Sequence, residues 1–414
     1  MYEKLTLPNG VRIVYEHIAH VRSVSAGIFV GVGSRCERPA ENGAAHYIEH
    51  MLFKGTDTRT ASELAFEMDA IGGQINACTT RDSTCFHARV LDSHLGRAAD
   101  ILCDMFFNSR FDEADVCSER SVINEEIDMY DDVPEDIVIE RLMKKCFPGA
   151  LGRPILGTPA TLEKLDGGAL RAFKNEHYTP DRIVVALCGS FDDGAITSLA
   201  ERFSALEPKK ARRPAKGAYR PAVYIKKKAT EQNQLCLGFE GAPFSDPDRY
   251  AHQLMSLILG GGMSSRLFQT VREKNGLCYS IYSFSSSFSD TGLFGIATAL
   301  DRENDRRALA LIRGELERMR NEGVSADELD RAREQAKSNI VIGLESTSAR
   351  MNRLGYGELV HGRCSDTDEL ISRYDCVTRE DILRSAQRLL DPSRMSLSAV
   401  GRLAPEEEYL KIFE

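Results

Sequence analysis

The apolar and polar positions of the chain form the same series of patterns twice. In each half, a segment of alternating character runs into a glycine-containing turn, and a segment with helical spacing of its apolar residues follows. These segments are residues 23–34 and 44–53 in the first half, and residues 233–244 and 250–259 in the second. The pattern predicts two copies of one α+β unit.

Further matching segments support the repeat, and a linker-like segment divides the chain into two halves. Residues 62–77 and 265–280 each have the pattern of a helix that ends at a glycine before a strand, since glycine commonly follows the last helical residue. Lys- and Glu-rich helical segments near 113–131 and 303–337 complete the parallel. Between the halves, residues 207–221 are basic and proline-containing, which is typical of a linker. We therefore predict a first domain at 1–206, a linker at 207–222 and a second domain at 223–414.

Three polar side chains interrupt the apolar helix at residues 44–53. His46 and His50 are four residues apart, so both imidazoles lie on one helix face and can reach one zinc ion. Glu49 lies beside them and can accept a proton from water without binding the metal, which gives the order H-x-x-E-H. The matching positions of the second half are His252, Met255 and Ser256. The alternative is a partly buried helix whose histidines are only hydrogen-bonded.

A catalytic zinc ion usually has three protein ligands and a position for water, so another segment must supply a ligand. The helical segment 113–132 carries an apolar stripe: Val116, Ile123, Ile127 and Tyr130. Glu119 and Glu126 flank Ile123 at helical intervals and therefore point inward, where a carboxylate is costly unless it is paired or binds a metal. We predict Glu126 as the third ligand and Glu119 as a supporting carboxylate. Glu125 and Asp128 lie on other faces and are expected to be solvated.

Composition narrows the class of protein. The 414 residues are 42% hydrophobic and 28% charged, with a net charge of −9, which argues against nucleic acid or an anionic membrane as the main partner. No apolar run approaches the roughly 20 residues needed to span a bilayer. The 11 cysteines are scattered without a C-x-x-C pair, as expected for free thiols in a reducing compartment. With no targeting pattern at the start of the sequence, a cytoplasmic location is expected.

Taken together, the motifs closely resemble the pitrilysin–insulysin family of metallopeptidases, in its mitochondrial-processing-peptidase-like branch. The resemblance covers essentially the whole chain and includes LPNGVRIV, GAAHYIEHMLFKGT, INACTTRDST, ERSVINEEIDMYDD, HYTPDRIVVALCG and GGGMSSRLFQTVREKNGLCYSIYS. It implies two tandem domains, each a mostly antiparallel sheet packed with helices. It also implies one zinc ion per chain on His46, His50 and Glu126, with Glu49 as general base and Glu119 in support.

The resemblance implies substrate-binding residues as well. An Arg/Tyr pair of the family maps onto Arg272 and Tyr279, and the resemblance favours the functional interpretation. Without it, a solvated last-turn arginine and an ordinary strand aromatic would be the expected interpretation. Family members bind the substrate backbone as an added strand along an edge that corresponds to Asn76 and Ala77. The alternative there is a plain hairpin strand. Cys78 departs from the family, whose members often have a larger aromatic residue at this position.

These implications predict a zinc endopeptidase that hydrolyses peptides or unfolded segments inside a clamshell chamber. Because this chain carries two domains and both motifs, the resemblance implies a homodimer with composite active sites. The main alternative is a non-catalytic scaffold or partner subunit of a processing-peptidase-like heterodimer. A structural zinc protein is disfavoured, because three ligands beside a glutamate leave a coordination position open.

Overall fold

The computed structural model describes residues 2–211 and 214–412, and the chain divides into two units. Residues 212 and 213 of the predicted linker lie outside the described residues. The first unit comprises Met1–Ile127, Arg153–Ala215 and Val341–Asp366. The second comprises Asp128–Gly152, Lys216–Ile340 and Thr367–Glu414. The two sheets and their helices confirm the predicted α+β class.

A six-stranded sheet forms the centre of the first unit. Its strands are β1 (Glu3–Thr6), β2 (Arg12–His17), β3 (Ser23–Val30), β4 (Gln74–Thr79), β5 (Thr84–Leu91) and β6 (Ile183–Gly189), in the order β1-β2-β6-β3-β5-β4. Only the β2–β6 pair is parallel among these described strands. The apolar runs of β3 and β6 are buried, as inner strands require. Strand β4 alternates exposed and half-buried residues and lies at the edge of the sheet.

Helices cover both faces of this sheet. They are α1 (Ala44–Met51), α2 (Ala61–Ala70), α3 (Leu95–Asn108), α4 (Glu113–Asp132), α6 (Pro159–Leu162), α7 (Gly167–His177), α8 (Asp193–Ser204) and α12 (Thr347–His361). All except α12 belong to one face, and the largest apolar core lies between them and the strands. On the other face, α12 packs on β3 and β6. Its approach is close, because a Cβ at Gly355 would lie 2.2 Å from the Phe29 ring.

The second unit repeats this plan with a five-stranded sheet. Its strands are β7 (Val223–Lys227), β8 (Asn233–Gly241), β9 (Cys278–Ser287), β10 (Gly292–Leu300) and β11 (Ser396–Gly401), in the order β7-β11-β8-β10-β9. Its helices are α5 (Pro134–Cys146), α9 (Arg249–Gly260), α10 (Asp305–Glu322), α11 (Ala326–Gly343), α13 (Thr367–Asp375), α14 (Arg379–Leu389) and α15 (Glu406–Leu410), with a π-helical turn at Phe268–Glu273. Helices α9, α10 and α14 pack on one face and α5 on the other.

The compact units differ from the contiguous division at 1–206, 207–222 and 223–414. Helix α5, from the first half of the sequence, packs on β8 and β11 of the second unit. Helix α12, from the second half, covers the sheet of the first unit. An amphipathic pattern gives the buried face of a helix without naming the sheet that covers it, so this exchange has no signal in the sequence.

The glycine helix stops agree with the sequence expectation. Gly72 follows α2 with φ of 62°, and Gly276 follows the π-helical turn with φ of 61°. Both values lie in the left-handed region that glycine adopts without a Cβ clash. Among the described residues, no helix combines the length and the apolar character needed to cross a membrane.

Candidate metal centre

The short helix α1 is fixed at its N-terminus by a buried carboxylate. Glu37 accepts hydrogen bonds from the backbone N–H groups of Gly43 (3.0 Å) and Ala45 (2.9 Å), and from the side-chain amide of Asn42 (2.9 Å). These bonds pair donors that a helix N-terminus otherwise leaves free. Burial raises the pKa of Glu37 to about 8, while the hydrogen bonds from Asn42, Ala45 and Gly43 act in the opposite direction. Glu37 therefore sets where α1 begins.

The start of α1 also requires glycine. Gly43 has φ of 101°, and a Cβ there would lie 2.8 Å from the carbonyl oxygen of Leu156. The apolar side of the helix is fully buried in the core through Ala44, Ala45, Tyr47, Ile48 and Met51. Helix α1 is only eight residues long, but it is held at its N-terminus and along its apolar side. Its polar side chains, His46, Glu49 and His50, are therefore held at defined positions.

Three donor atoms converge between α1 and α4. Nε2 of His46 lies 3.6 Å from Oε2 of Glu126, and Nε2 of His50 lies 3.7 Å from the same oxygen. One donor atom from each of the three residues lies within 4.8 Å of the others. Tetrahedral zinc ligands at about 2.0–2.1 Å from the metal are about 3.4 Å from one another. The arrangement therefore fits a zinc ion after small side-chain adjustments.

The electrostatic environment also suits a cation. Burial and the neighbouring His50 lower the pKa of His46 to about 3. Burial lowers the pKa of His50 as well, against the charges of Glu126 and Glu49. Both imidazoles are thus neutral near pH 7, which leaves lone pairs available to a metal. Burial raises the pKa of Glu126, with His50 opposing the shift.

A second carboxylate lies behind His50. Oε1 of Glu119 is 3.5 Å from Nδ1 of His50, on the side of the ring opposite the Nε2 that faces Glu126. The Glu119 side chain is 4% exposed and forms an ion pair with Lys54. A carboxylate in this place fixes the ring orientation and tautomer of a histidine ligand. The Lys54 charge compensates the buried Glu119.

A third carboxylate, that of Glu49, lies beside the three donors without joining them. Its Oε2 accepts a hydrogen bond from the hydroxyl of Thr79, the last residue of β4. Oγ1 of Thr79 lies 3.3 Å from that of Thr84, whose hydroxyl donates to the carbonyl of Val32 at 2.9 Å. Burial raises the pKa of Glu49, while the Thr79 hydrogen bond opposes that shift. This carboxylate is held next to the donors and can exchange a proton with a bound water.

The predicted substrate-binding residues occupy two places. Asn76 and Ala77 lie on the edge strand β4, next to Cys78. In the second unit, the Arg272 guanidinium lies 4.9 Å from the centre of the Tyr279 ring and 4.6 Å from that of Phe268. Tyr279 is 75% exposed. The two members of the Arg/Tyr pair are therefore in contact.

Several details differ from the sequence expectations. Tyr130, assigned to the inward stripe of α4, is 39% exposed, because the buried stripe stops near Ile127. Glu125 and Asp128 are exposed, as expected for solvated charges. Sequence reasoning missed Glu37, which precedes α1 and carries no periodic signal. It also missed Lys54, which lies in the turn after α1 and pairs with Glu119 of α4, a contact between distant segments.

Known protein families and proteins are similar to this chain along most of its length. Residues 12–159 match the family described as insulinase (peptidase family M16), and residues 164–336 match the peptidase M16 inactive domain. The chain is 41% identical to the uncharacterized zinc protease YmxG of Bacillus subtilis, over 94% of this chain and 96% of that protein. It is also 41% identical to an uncharacterized zinc protease of Streptomyces coelicolor, over 98% of this chain and 90% of that one.

Two solved structures share the fold. One is a peptidase M16 inactive domain from Pseudomonas fluorescens, with a TM-score of 0.91, 20% identity and coverage of 98% of both chains. The other is a protease from Helicobacter pylori, with a TM-score of 0.89, 20% identity and coverage of 97% of this chain and 99% of that one. These matches confirm the fold of two tandem domains, and the sequence relatives confirm the resemblance to the pitrilysin–insulysin group. The chain belongs to the insulinase family of peptidases, M16.

Proposed function

We propose that this protein is a zinc-dependent endopeptidase that hydrolyses peptides or unfolded segments in the cytoplasm. The observation that carries the proposal is the convergence of His46, His50 and Glu126, with Glu49 beside them. The names of the relatives, which call them zinc proteases, support zinc as the metal. One ion per chain is proposed, held by these three side chains.

Zinc in this site would polarise the scissile carbonyl and lower the pKa of water toward about 7. Glu49 takes the proton of the attacking water and later gives it to the leaving amine, so it acts first as base and then as acid. The Thr79 hydroxyl holds Oε2 of Glu49, and Oε1 is the oxygen proposed to carry the proton. Glu119 keeps His50 oriented through Nδ1.

The substrate backbone is proposed to pair with β4 through Asn76 and Ala77. An edge strand has unpaired backbone donors and acceptors, so pairing of this kind binds a peptide independently of its side chains. Arg272 and Tyr279 are proposed to hydrogen-bond the substrate carbonyl or the developing oxyanion. The exposure of Tyr279 and the contact of Arg272 with its ring support this pairing of roles.

The proposed assembly is a homodimeric chamber in which one copy of the chain supplies the zinc site and the other supplies Arg272 and Tyr279. It can be tested by mixing Glu49→Gln chains with Arg272→Ala chains, each of which is expected to have strongly reduced activity alone. Heterodimers are expected to regain part of the activity, and no recovery in verified heterodimers would refute a shared site. The competing proposal is a non-catalytic scaffold or partner subunit, which the complete set of donors disfavours.

The direct test of the function is mass-spectrometric mapping of cuts in a mixed peptide library, combined with metal analysis of the protein. Internal cuts are expected with zinc present, and a chelator is expected to abolish them. Adding zinc back should restore the same cut positions. A protein that contains zinc and cuts no peptide would instead favour the scaffold proposal.

A further inference from the structure

A buried histidine in the second unit has no hydrogen-bond partner for its ring. His252 lies on α9 and is 3% exposed, and neither Nδ1 nor Nε2 has a partner among the described residues. Leaving a buried polar group unpaired is unfavourable, since its hydration is lost without compensation. Burial lowers the pKa of His252, with Asp246 opposing the shift. The ring thus presents unpaired nitrogen atoms in a buried place.

Two carboxylates lie next to this ring. Asp246 is 5% exposed, and Asp248 is half-buried immediately before α9. One ligand atom from each of Asp246, Asp248 and His252 lies within 4.8 Å of the others. Asp248 and His252 are four residues apart, and the backbone N–H of His252 donates to the Asp248 carbonyl at 3.0 Å. That spacing places both side chains on one face of the turn.

Arginines from α14 pair with the carboxylates but not with the ring. Arg388 contacts Asp246 through both terminal nitrogens, and Nη2 of Arg384 lies 2.9 Å from Asp248. The side chains of Arg388 and Arg384 are 46% and 55% exposed, so each guanidinium can turn into solvent. The guanidinium groups of the two arginines neutralise the two carboxylates, but they leave the His252 ring without a hydrogen-bond partner in the described part of the chain. A metal ion is a ligand that would engage the imidazole and both carboxylates together.

We propose that Asp246, Asp248 and His252 bind a divalent first-row transition-metal ion, and that Arg388 occupies the Asp246 carboxylate when the metal is absent. Ligands of one such ion lie about 3.0–3.4 Å apart, and the three donor atoms already lie within 4.8 Å of one another. The donor set of two carboxylates and one neutral imidazole suits ions such as Zn²⁺ and Mn²⁺. This site lies wholly in the second unit and does not depend on the proposed peptidase function.

Zinc titration of a variant that lacks the first site tests the proposal. The His46→Gln/His50→Gln variant is titrated with Zn²⁺ against a chromophoric chelator. One zinc ion per chain is expected to bind, and adding His252→Gln is expected to abolish that binding. Adding Arg388→Gln is expected to strengthen it, because the competing cation is removed. His20→Gln, at an exposed histidine, is the matched control and should leave binding unchanged.

Two results would overturn the proposal. One is a lack of zinc binding in the micromolar range by the His46→Gln/His50→Gln variant, with the fold verified by its circular dichroism spectrum. The other is zinc binding that His252→Gln leaves unchanged. If His252→Gln does not fold, Asp248→Asn replaces it, because this side chain is partly exposed. Loss of zinc binding in the Asp248→Asn variant would support the proposed metal site, and unchanged zinc binding would contradict it.

Discussion

The hydroxyl of Thr79 donates a hydrogen bond to Oε2 of Glu49, so the last residue of an edge strand holds the carboxylate carried by helix α1. The same strand carries Asn76 and Ala77. A peptide paired with β4 would therefore lie on the element that positions the proposed general base. This connection between strand and base leads to the first two predictions.

Replacing Glu49 by glutamine is expected to lower kcat by about 10²–10⁴ while zinc stays bound. Glutamine keeps the size of the side chain but cannot accept the proton from water. Zinc content per chain and kcat on a reporter peptide are the two measurements. Turnover at the wild-type rate in a zinc-loaded variant would show that another group is the base.

Replacing Thr79 by valine keeps the shape of the side chain and removes the hydrogen bond to Glu49. A hydrogen bond to a charged group contributes about 1.5–3 kcal/mol, so kcat is expected to fall about 10- to 100-fold. KM should change little, because the backbone of β4 stays in place. Thr79→Ser retains the hydroxyl and is the matched control, with near-wild-type kcat. Equal losses in the two variants would mean that a general disturbance at this position, and not the lost hydroxyl, lowers kcat.

Replacing Glu119 by glutamine is expected to weaken zinc affinity about 10- to 100-fold, because His50 loses the carboxylate that orients it. The measurement is competition for zinc with a chelator of known affinity. Glu125→Gln, at an exposed position of the same helix, serves as the control and should leave the affinity unchanged. The same weakening in both variants would indicate a general charge effect along α4.

The metal-free protein is expected to lose stability as the pH falls from about 6.5 toward 3. The folded-state pKa of His46 is lowered to about 3 from 6.5, so in this range the unfolded chain binds a proton that the folded chain does not. The free energy of unfolding then falls by up to about 1.4 kcal/mol per pH unit through this residue. Glu126, whose pKa is raised, acts in the opposite direction.

Comparison with the His46→Gln variant isolates the contribution of His46. Denaturant unfolding of both metal-free proteins across this pH range is the measurement. The variant should show a flatter decline in the free energy of unfolding toward low pH. Identical pH profiles would contradict the assignment of His46 as a neutral buried ring.

The sequence predicted the parts of the site that follow from helical spacing. His46 and His50 lie one turn apart, and Glu126 follows a buried stripe, so the face on which each of them lies could be predicted from the spacing of residues. Arg272 and Tyr279 followed only from the family resemblance, because a helix-end arginine and a strand tyrosine have ordinary explanations.

Other features depend on contacts between distant segments and had no signal in the sequence. Glu37 caps α1 from outside the helix, and its carboxylate reaches Ala45 across an irregular turn. Helix α5 comes from the first half of the sequence and covers the sheet of the second unit. Helix α12 comes from the second half and covers the sheet of the first unit. The exposure of Tyr130 could not be predicted for a similar reason. The periodicity of α4 gave its buried face but not the residue at which burial ends.

The central claim is that His46, His50 and Glu126 hold one zinc ion. Its most direct test is an anomalous difference map, recorded at the zinc edge, from a crystal grown with zinc. We expect a peak within bonding distance of Nε2 of His46, Nε2 of His50 and Oε2 of Glu126. A map without a peak between α1 and α4, from crystals of zinc-saturated protein, would contradict the account.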